Sequence, residues 1–257
     1  MFDHVSRFWG ITDVGKKRDH NEDAFHISEK GHYCILADGM GGRNYGEVAA
    51  QMTVDLLRRR FDSFLPTSAD YLRSVDQTNC ADMLRVIVDD WVREINFEVW
   101  HKGQTDERYR EMGTTLVLLY ALPSLALVCH IGDSRVYHIH GDHMVQVTAD
   151  HSLVNTHVQN GMMTREEAQQ SAQKNIITRA IGTAKTVKPE FDLVHTRPGD
   201  RLLLCSDGLT DMVPEATIKG MVLSGRPESE ILKDLVEHAN AAGGRDNITA
   251  ILVEYYK

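Results

Sequence analysis

Apolar residues fall along this chain in two rhythms. Short continuous runs recur at residues 8–12, 33–37, 115–121, 125–131, 136–140, 201–205 and 249–253. They are rich in β-branched, leucine or aromatic residues and mostly end at Gly, Asp or Pro, which predicts strands. The second rhythm is helical. Residues 47–64 carry Val48, Met52, Leu56 and Phe64 at near-helical spacing, and residues 82–100 put Leu84, Ile87, Trp91, Ile95 and Val99 on one stripe. Thr164-Arg165-Glu166-Glu167 has the form of a capping box and starts a short helix through Ala172. Residues 228–242 carry Ile231, Leu232, Leu235, Val236 and Ala239, with Gly243-Gly244 as the stop.

Strands grouped apart from helices predict an α+β fold rather than an alternating parallel one. No repeat, low-complexity tract or linker breaks the chain, so residues 1–257 read as one domain. The polar stretch 150–174 is the candidate for a mobile surface subdomain, and the tryptophans and helix stripes read as core. With 257 residues, 42% hydrophobic and 25% charged, the composition is that of a globular protein large enough for a core without staples. A net charge of −9 argues against nucleic acid as the main partner. No apolar run reaches the ~18–20 residues of a membrane span. The start, Met1-Phe2-Asp3-His4, lacks the pattern of a signal peptide. Cys34, Cys80, Cys129 and Cys205 form no CxxC pair and read as buried, reduced thiols of a cytoplasmic protein.

The informative pattern is where the aspartates fall. The predicted strand 33–37 runs into Asp38-Gly39, strand 125–131 into Gly132-Asp133, and strand 201–205 through Ser206 into Asp207-Gly208; Asp246-Asn247 immediately precedes the last strand. Singly, each reads as ordinary turn chemistry. If the strands bring those ends to one edge, carboxylates converge that cannot all stay ionised unaided. Divalent cations resolve the conflict, and an all-oxygen donor set favours Mg2+ or Mn2+ over zinc. The flanking glycines would let backbone carbonyls approach such an ion.

The segment Arg18-Asp19-His20-Asn21-Glu22-Asp23 adds a second cluster. Neighbours on a strand alternate faces, so Glu22 and Asp23 are not both expected to meet one ion directly. Arg18 and Glu22, four apart, can share a face and put a guanidinium beside the carboxylates. That fork suits a phosphate dianion; the competing reading is a surface salt bridge.

Arg18-x-x-Asn21-Glu22-Asp23, Asp38-Gly39-Met40-Gly41-Gly42, Gly113-Thr114-Thr115, Gly132-Asp133-Ser134-Arg135, Thr148-x-Asp150-His151-Ser152, Thr178-Arg179-Ala180-Ile181-Gly182, Ser206-Asp207-Gly208-Leu209 and Arg245-Asp246-Asn247-Ile248-Thr249 occur in one order. That order resembles the PPM-type (type 2C) metal-dependent serine/threonine protein phosphatases, in particular their compact bacterial branch, over residues 8–254. The resemblance implies a four-layer α-β-β-α sandwich of two antiparallel sheets flanked by helices. It implies that Asp38 bridges two metal ions, with the Gly39 carbonyl as a further ligand and Asp207 and Asp246 on one of the ions. Glu22 and Asp23 match the acidic pair that binds metal directly or through water. Asp133 matches the position that, with Asp207, holds a third, weaker ion. Arg18 matches the phosphate-binding arginine, and residues 150–176 fall where the family has its variable flap.

The activity implied is hydrolysis of phosphoserine and phosphothreonine by direct attack of a hydroxide bridging two Mn2+ or Mg2+ ions ~3.5–4 Å apart. Arg18 and Asp38 then carry the catalysis. The implied partners are phosphorylated proteins, among them a bacterial Ser/Thr kinase or its targets, acted on by a cytoplasmic monomer with no membrane attachment. One departure matters. Animal members have a histidine, a proposed general acid, where this chain has Met40, and methionine transfers no proton; His151 and His157 near the flap are the weak substitutes. Cys129 and Arg135 have the Cys-x5-Arg spacing of a cysteine phosphatase, but Cys129 stands inside the apolar run 125–131 rather than at the head of a loop, so it reads as a buried thiol and not as a nucleophile. The rival readings are a catalytically silent binding domain with the same fold, and a phosphatase of small phosphorylated metabolites.

Overall fold

The structure, a computed structural model, describes residues 6–41 and 45–256. Gly42 of the Asp-Gly-Met-Gly-Gly motif and the start Met1-Phe2-Asp3-His4 lie outside the described residues. The predicted strands assemble into two antiparallel sheets. In the first, the order is β1 (Ser6–Asp13), β11 (Ile248–Tyr255), β10 (Arg201–Cys205), β7 (Arg135–His140) and β8 (His143–Gln146). In the second it is β2 (Asp23–Ile27), β3 (Tyr33–Met40), β5 (Leu116–Ala121), β6 (Leu125–Ile131) and β9 (Glu190–His195), with the short β4 (Gly113–Thr114) paired to β3.

The continuous apolar runs follow from burial on both faces. Successive strand side chains point to opposite sides of a sheet. Cys34, Leu36, Val117, Leu119 and Val128 of the second sheet meet Leu202, Leu204, Ile251 and Val253 of the first in a core between the sheets. Their alternates Tyr33, Ile35, Leu116 and Leu118 pack under α1 (Gly46–Ser74) and α2 (Gln77–Thr105). Leu203, Cys205, Ala250 and Leu252 pack under α6 (Glu215–Val222) and α7 (Glu228–Ala241). The result is the expected α-β-β-α sandwich. All four cysteines are free and buried, and burial pushes the Cys205 thiol up to about 12 and Cys80 up to about 11. Among the described residues no helix is long and apolar enough to cross a membrane.

Several elements depart from the sequence reading. The helix expected to end at Phe64, ahead of Pro66, runs on to Ser74, because Leu65 and Leu72 dock in the core while Pro66 stays exposed. The second helix begins at Gln77, not Asp82, since the Asp76 carboxylate caps it by accepting from the Thr78 and Asn79 amides. The Thr164 capping box forms, but its helix α4 (Arg165–Gln170) stops short of Ala172. The polar stretch also holds α3 (Leu153–Gln159), and α5 (Asp207–Thr210) starts at a candidate ligand. Strands β2, β8 and β9 were not anticipated; each sits at a sheet edge and is too polar to read as an apolar run.

Leu119→Ala, which empties a fully buried site between the sheets, is expected to cost about 2–5 kcal/mol in urea unfolding. Val86→Ala on the exposed face of α2 should change stability by no more than about 0.5 kcal/mol.

Candidate metal centre

Antiparallel pairing puts the predicted aspartates at one edge of the sandwich. Asp23 opens β2 directly opposite Asp38, near the end of β3. Asp133 lies in the turn between β6 and β7, Asp207 follows β10, and Asp246 precedes β11, whose Ala250 pairs with Cys205. Hydrogen bonds lash the two sheets together here. Asp23 Oδ2 accepts from Ser206 Oγ (2.9 Å) and Thr249 Oγ1 (2.6 Å) of the other sheet. Asn247 Oδ1 accepts the Glu22 amide at 2.8 Å, while its Nδ2 donates to the carbonyls of Val14 and His20 at 3.0 Å. Thr115 Oγ1 accepts the Asp38 amide at 3.0 Å and lies 2.8 Å from Ser134 Oγ, beside Asp133.

The glycines have a different first duty from the one expected of them. A Cβ on Gly39 would overlap the backbone of Gly46 and press on the Glu22 carbonyl, and one on Gly208 would overlap the Asn247 carbonyl. They permit the close backbone packing that holds the loops in place.

The cluster is electrostatically unfavourable as protein alone. Burial pushes Asp38 well above the usual carboxylate range, reinforced by Asp23, Asp207, Asp133 and Asp246. Burial does the same to Asp207, with Asp133, Asp246, Asp211 and Asp23 adding to it. Asp23 rises to about 6 through burial against the opposing hydroxyl bonds. Asp133 rises to about 6 through burial and the field of Asp150, partly offset by Arg135. Asp23 Oδ1 and Asp133 Oδ1 are buried without a hydrogen-bond partner. Convergent carboxylates with vacant lone pairs suit hard divalent cations, so the donor set fits Mg2+ or Mn2+.

Arg18 borders the cluster, its Nη2 2.7 Å from Asp246 Oδ2 and its Nη1 3.8 Å from Glu22 Oε2, with the side chain 46% exposed. The predicted Arg18–Glu22 proximity is therefore present, and Glu22 and Asp23 point to different partners. His20 Nε2 lies 3.2 Å from Glu22 Oε1 and 3.9 Å from Glu47 Oε2. A second trio with ligating atoms close together, His130, His151 and Glu190, does not suit one ion. Its two imidazoles stack at 4.8 Å and 17°, so their in-plane lone pairs cannot meet at a point, and the Arg179 guanidinium already holds Glu190 at 2.7 Å.

A sequence model of protein phosphatase 2C matches residues 15–253. The chain belongs to the protein phosphatase 2C family. It is 40% identical over 246 residues to protein phosphatase PhpP of Streptococcus pneumoniae, covering 95% of each chain. The serine/threonine phosphatase of S. agalactiae superposes with a TM-score of 0.86 at 33% identity, over 98% of this chain and 100% of that one. The catalytic domain of the phosphatase PstP, solved in complex with two manganese ions, superposes with a TM-score of 0.82 at 32% identity, over 98% and 99%. This chain is accordingly a serine/threonine protein phosphatase, an enzyme acting on phosphorylated proteins.

In this phosphatase the structure brings together Asp23, Asp38, Gly39, Asp133, Asp207 and Asp246, with Arg18 and Glu22 at the rim. Met40 ends β3 next to Gly113 of β4. Burial, with His130 and Arg179, holds the His151 ring down to about 4, which disfavours the charged form that a general acid would use. His157 lies on α3. The reading from sequence missed Asn247, Ser206, Thr249, Thr115 and Ser134, which fix the ligand loops. They stood inside the quoted motifs; only their partners, distant in sequence, disclose what they do.

A folded-state pKa raised to about 6 at Asp133 means that the fold holds this proton more tightly than the unfolded chain. That contribution is complete below the unfolded value and is lost as pH rises through about 6. Metal-free Asp133→Asn should therefore melt above metal-free wild type at about pH 7.5, with the gap closing on acidification. Scanning calorimetry across that range checks it, and a gap independent of pH would contradict the assignment.

Proposed function

We propose that this phosphatase hydrolyses phosphoserine and phosphothreonine in proteins at a centre of two Mn2+ or Mg2+ ions, the whole chain acting as one catalytic domain with residues 150–176 as its flap. The observation that carries the reading is the convergence of Asp23, Asp38, Asp133, Asp207 and Asp246 at one sheet edge, with buried unpartnered oxygens, beside a half-exposed arginine. Asp38 would bridge the ions with the Gly39 carbonyl as a further ligand; Asp207 and Asp246 would complete one of them. Asp23 and Glu22 would bind directly or through water, and Asp133 with Asp207 would take a third, weaker ion. Bound there, the ions supply a water activated near neutral pH and draw charge from the phosphoryl oxygens.

The chain's own groups do the rest. Arg18 offers a planar fork to two phosphoryl oxygens, its orientation set by Asp246. Ser206 and Thr249 hold the Asp23 carboxylate in one rotamer, and Asn247 keeps the Arg18–Glu22 turn against the last strand. Such preorganisation spares the site from reorganising as charge shifts onto the leaving oxygen. The Met40 thioether takes no part in proton transfer.

Metal-stripped protein should be silent towards a phosphothreonine peptide and gain activity with Mn2+. Asp38→Asn and Asp207→Asn should each lower metal-dependent turnover on the order of 10²–10³-fold, comparable with removing a principal stabiliser of transition-state charge. Arg18→Ala should raise KM and lower kcat, with Arg18→Lys recovering only part because an ammonium lacks the fork. Near-normal turnover in either aspartate variant would sink the site assignment.

A further inference from the structure

Both ends of the flap segment close on one buried histidine. On the way in, the His151 amide donates to the Gly132 carbonyl at 2.9 Å. On the way out, the Thr178 amide donates to the His151 carbonyl at 2.8 Å, with Ser152 bridged to Ile177 and the Leu153 amide on the Ile176 carbonyl. The His151 side chain then returns to the same turn. Its Nδ1 accepts the Gly132 amide at 3.0 Å, so residue 132 is gripped at both its carbonyl and its N–H.

The ring is fixed on every side. With the Gly132 N–H fixing Nδ1 as acceptor, a neutral imidazole carries its proton on Nε2, which faces Glu190 Oε1 at 3.2 Å and lies 3.0 Å from Arg179 Nη1, so that two N–H donors converge on that carboxylate. Arg179 Nη1 donates to that same carboxylate oxygen at 2.7 Å and to the Lys188 carbonyl at 3.3 Å. One ring face stacks on His130, whose Nε2 lies 3.1 Å from the Ala149 carbonyl. The ring is 7% exposed, and burial together with His130 and Arg179 keeps it uncharged at neutral pH.

The residue after Gly132 is Asp133, whose carboxylate has little else to place it. It accepts from its own backbone amide, and Oδ1 has no partner. The carboxylate therefore points where the turn sends it. That turn is set by Gly132 at φ +104°, by the Ser134–Thr115 hydroxyl contact, and by His151. We propose that His151 is a positioning residue for Asp133, its Nδ1 holding the Gly132 amide so that the turn presents the carboxylate to the weaker third cation. The proposal rests on the reading above that Asp133 is a cation ligand. Hydrogen bonds that orient metal ligands typically alter affinity by about 10–100-fold when removed.

Mn2+ binding to the metal-stripped full chain, followed by the electron paramagnetic resonance of free Mn2+ with no substrate present, tests this apart from turnover. His151→Asn keeps an acceptor near the Nδ1 position, His151→Gln places its amide near Nε2, and His151→Leu keeps neither. The expected result is that Leu and Gln weaken the weakest class of Mn2+ sites about 10–100-fold while the tighter class is unchanged, with Asn restoring most of the loss. In turnover, the Mn2+ concentration needed should rise before KM for the phosphopeptide moves. Asp133→Asn is the control. If it leaves the weak class intact, the ligand reading of Asp133 is wrong. If it removes the class while Gln binds like wild type, His151 does not position it. A Gln variant that melts like wild type yet loses the tighter class overturns the proposal too. Should Leu fail to fold, the Asn and Gln pair still decides, and equal affinities in the two would refute the idea.

Discussion

Mutual repulsion among buried carboxylates is the constraint that organises this molecule. Asp38 and Asp207 each feel Asp23, Asp133 and Asp246 through a medium that screens charge poorly, and each is pushed towards its neutral form. Left to relax, such groups would swing into water. They do not, because each is attached to a strand end or to a turn bonded to one, and the strands are locked by cores on both faces. The sandwich supplies rigidity where local chemistry would otherwise disperse the site. Ser206, Thr249 and Asn247 add the cross-sheet bonds that keep the two edges level.

The same constraint accounts for the glycines. Gly39 and Gly46 approach each other's backbone more closely than any side chain allows, and Gly208 does the same to Asn247. Those contacts seat the Asp38 end of β3 against the start of α1 and the Asp207 turn against the Asp246–Asn247 turn, so neither carboxylate can drift away from the edge. Separation would lower the repulsion, and it would also dissolve the donor set. The arrangement favours a ligand-binding edge over a stable ligand-free one, the trade common at functional sites.

How far the sequence discloses this depends on whether a residue's role is local. Central strands were legible because both faces are buried and the apolar runs are unbroken. Edge strands β2, β8 and β9 were not, because one face or margin meets water and their polar residues resemble loop. The first long helix was legible only to Phe64, because the turns beyond it, which include Pro66, are held by the tertiary packing of Leu65 and Leu72 rather than by a local pattern. The aspartates were legible because each adjoins a predicted strand and a glycine or amide. Asn247 and Thr115 were not: Asn247 serves Glu22, 225 positions away, and Thr115 serves Asp38, 77 away. The packing role of Gly39 and Gly208 was not legible, because Gly46 and Asn247 meet them only in the folded chain.

Charge balance links the proposed cations to the proposed phosphate contact at this edge. The chain carries a net −9, and a phosphate dianion approaching the cluster meets several carboxylates and one guanidinium. That guanidinium is already engaged, with Asp246 at 2.7 Å and Glu22 at 3.8 Å. In protein alone Arg18 is thus largely neutralised by the residues beside it, and the field at the rim repels the substrate. Divalent ions on the aspartates would reverse the sign of the field and weaken the hold of Asp246 on Arg18, since a carboxylate bound to metal is a poorer partner for an arginine. In the proposed centre the cations would then serve twice: to activate water, and to free Arg18 for the phosphate. On this argument an Arg18 variant and a metal-ligand variant disturb one coupled unit, and their effects should fail to add.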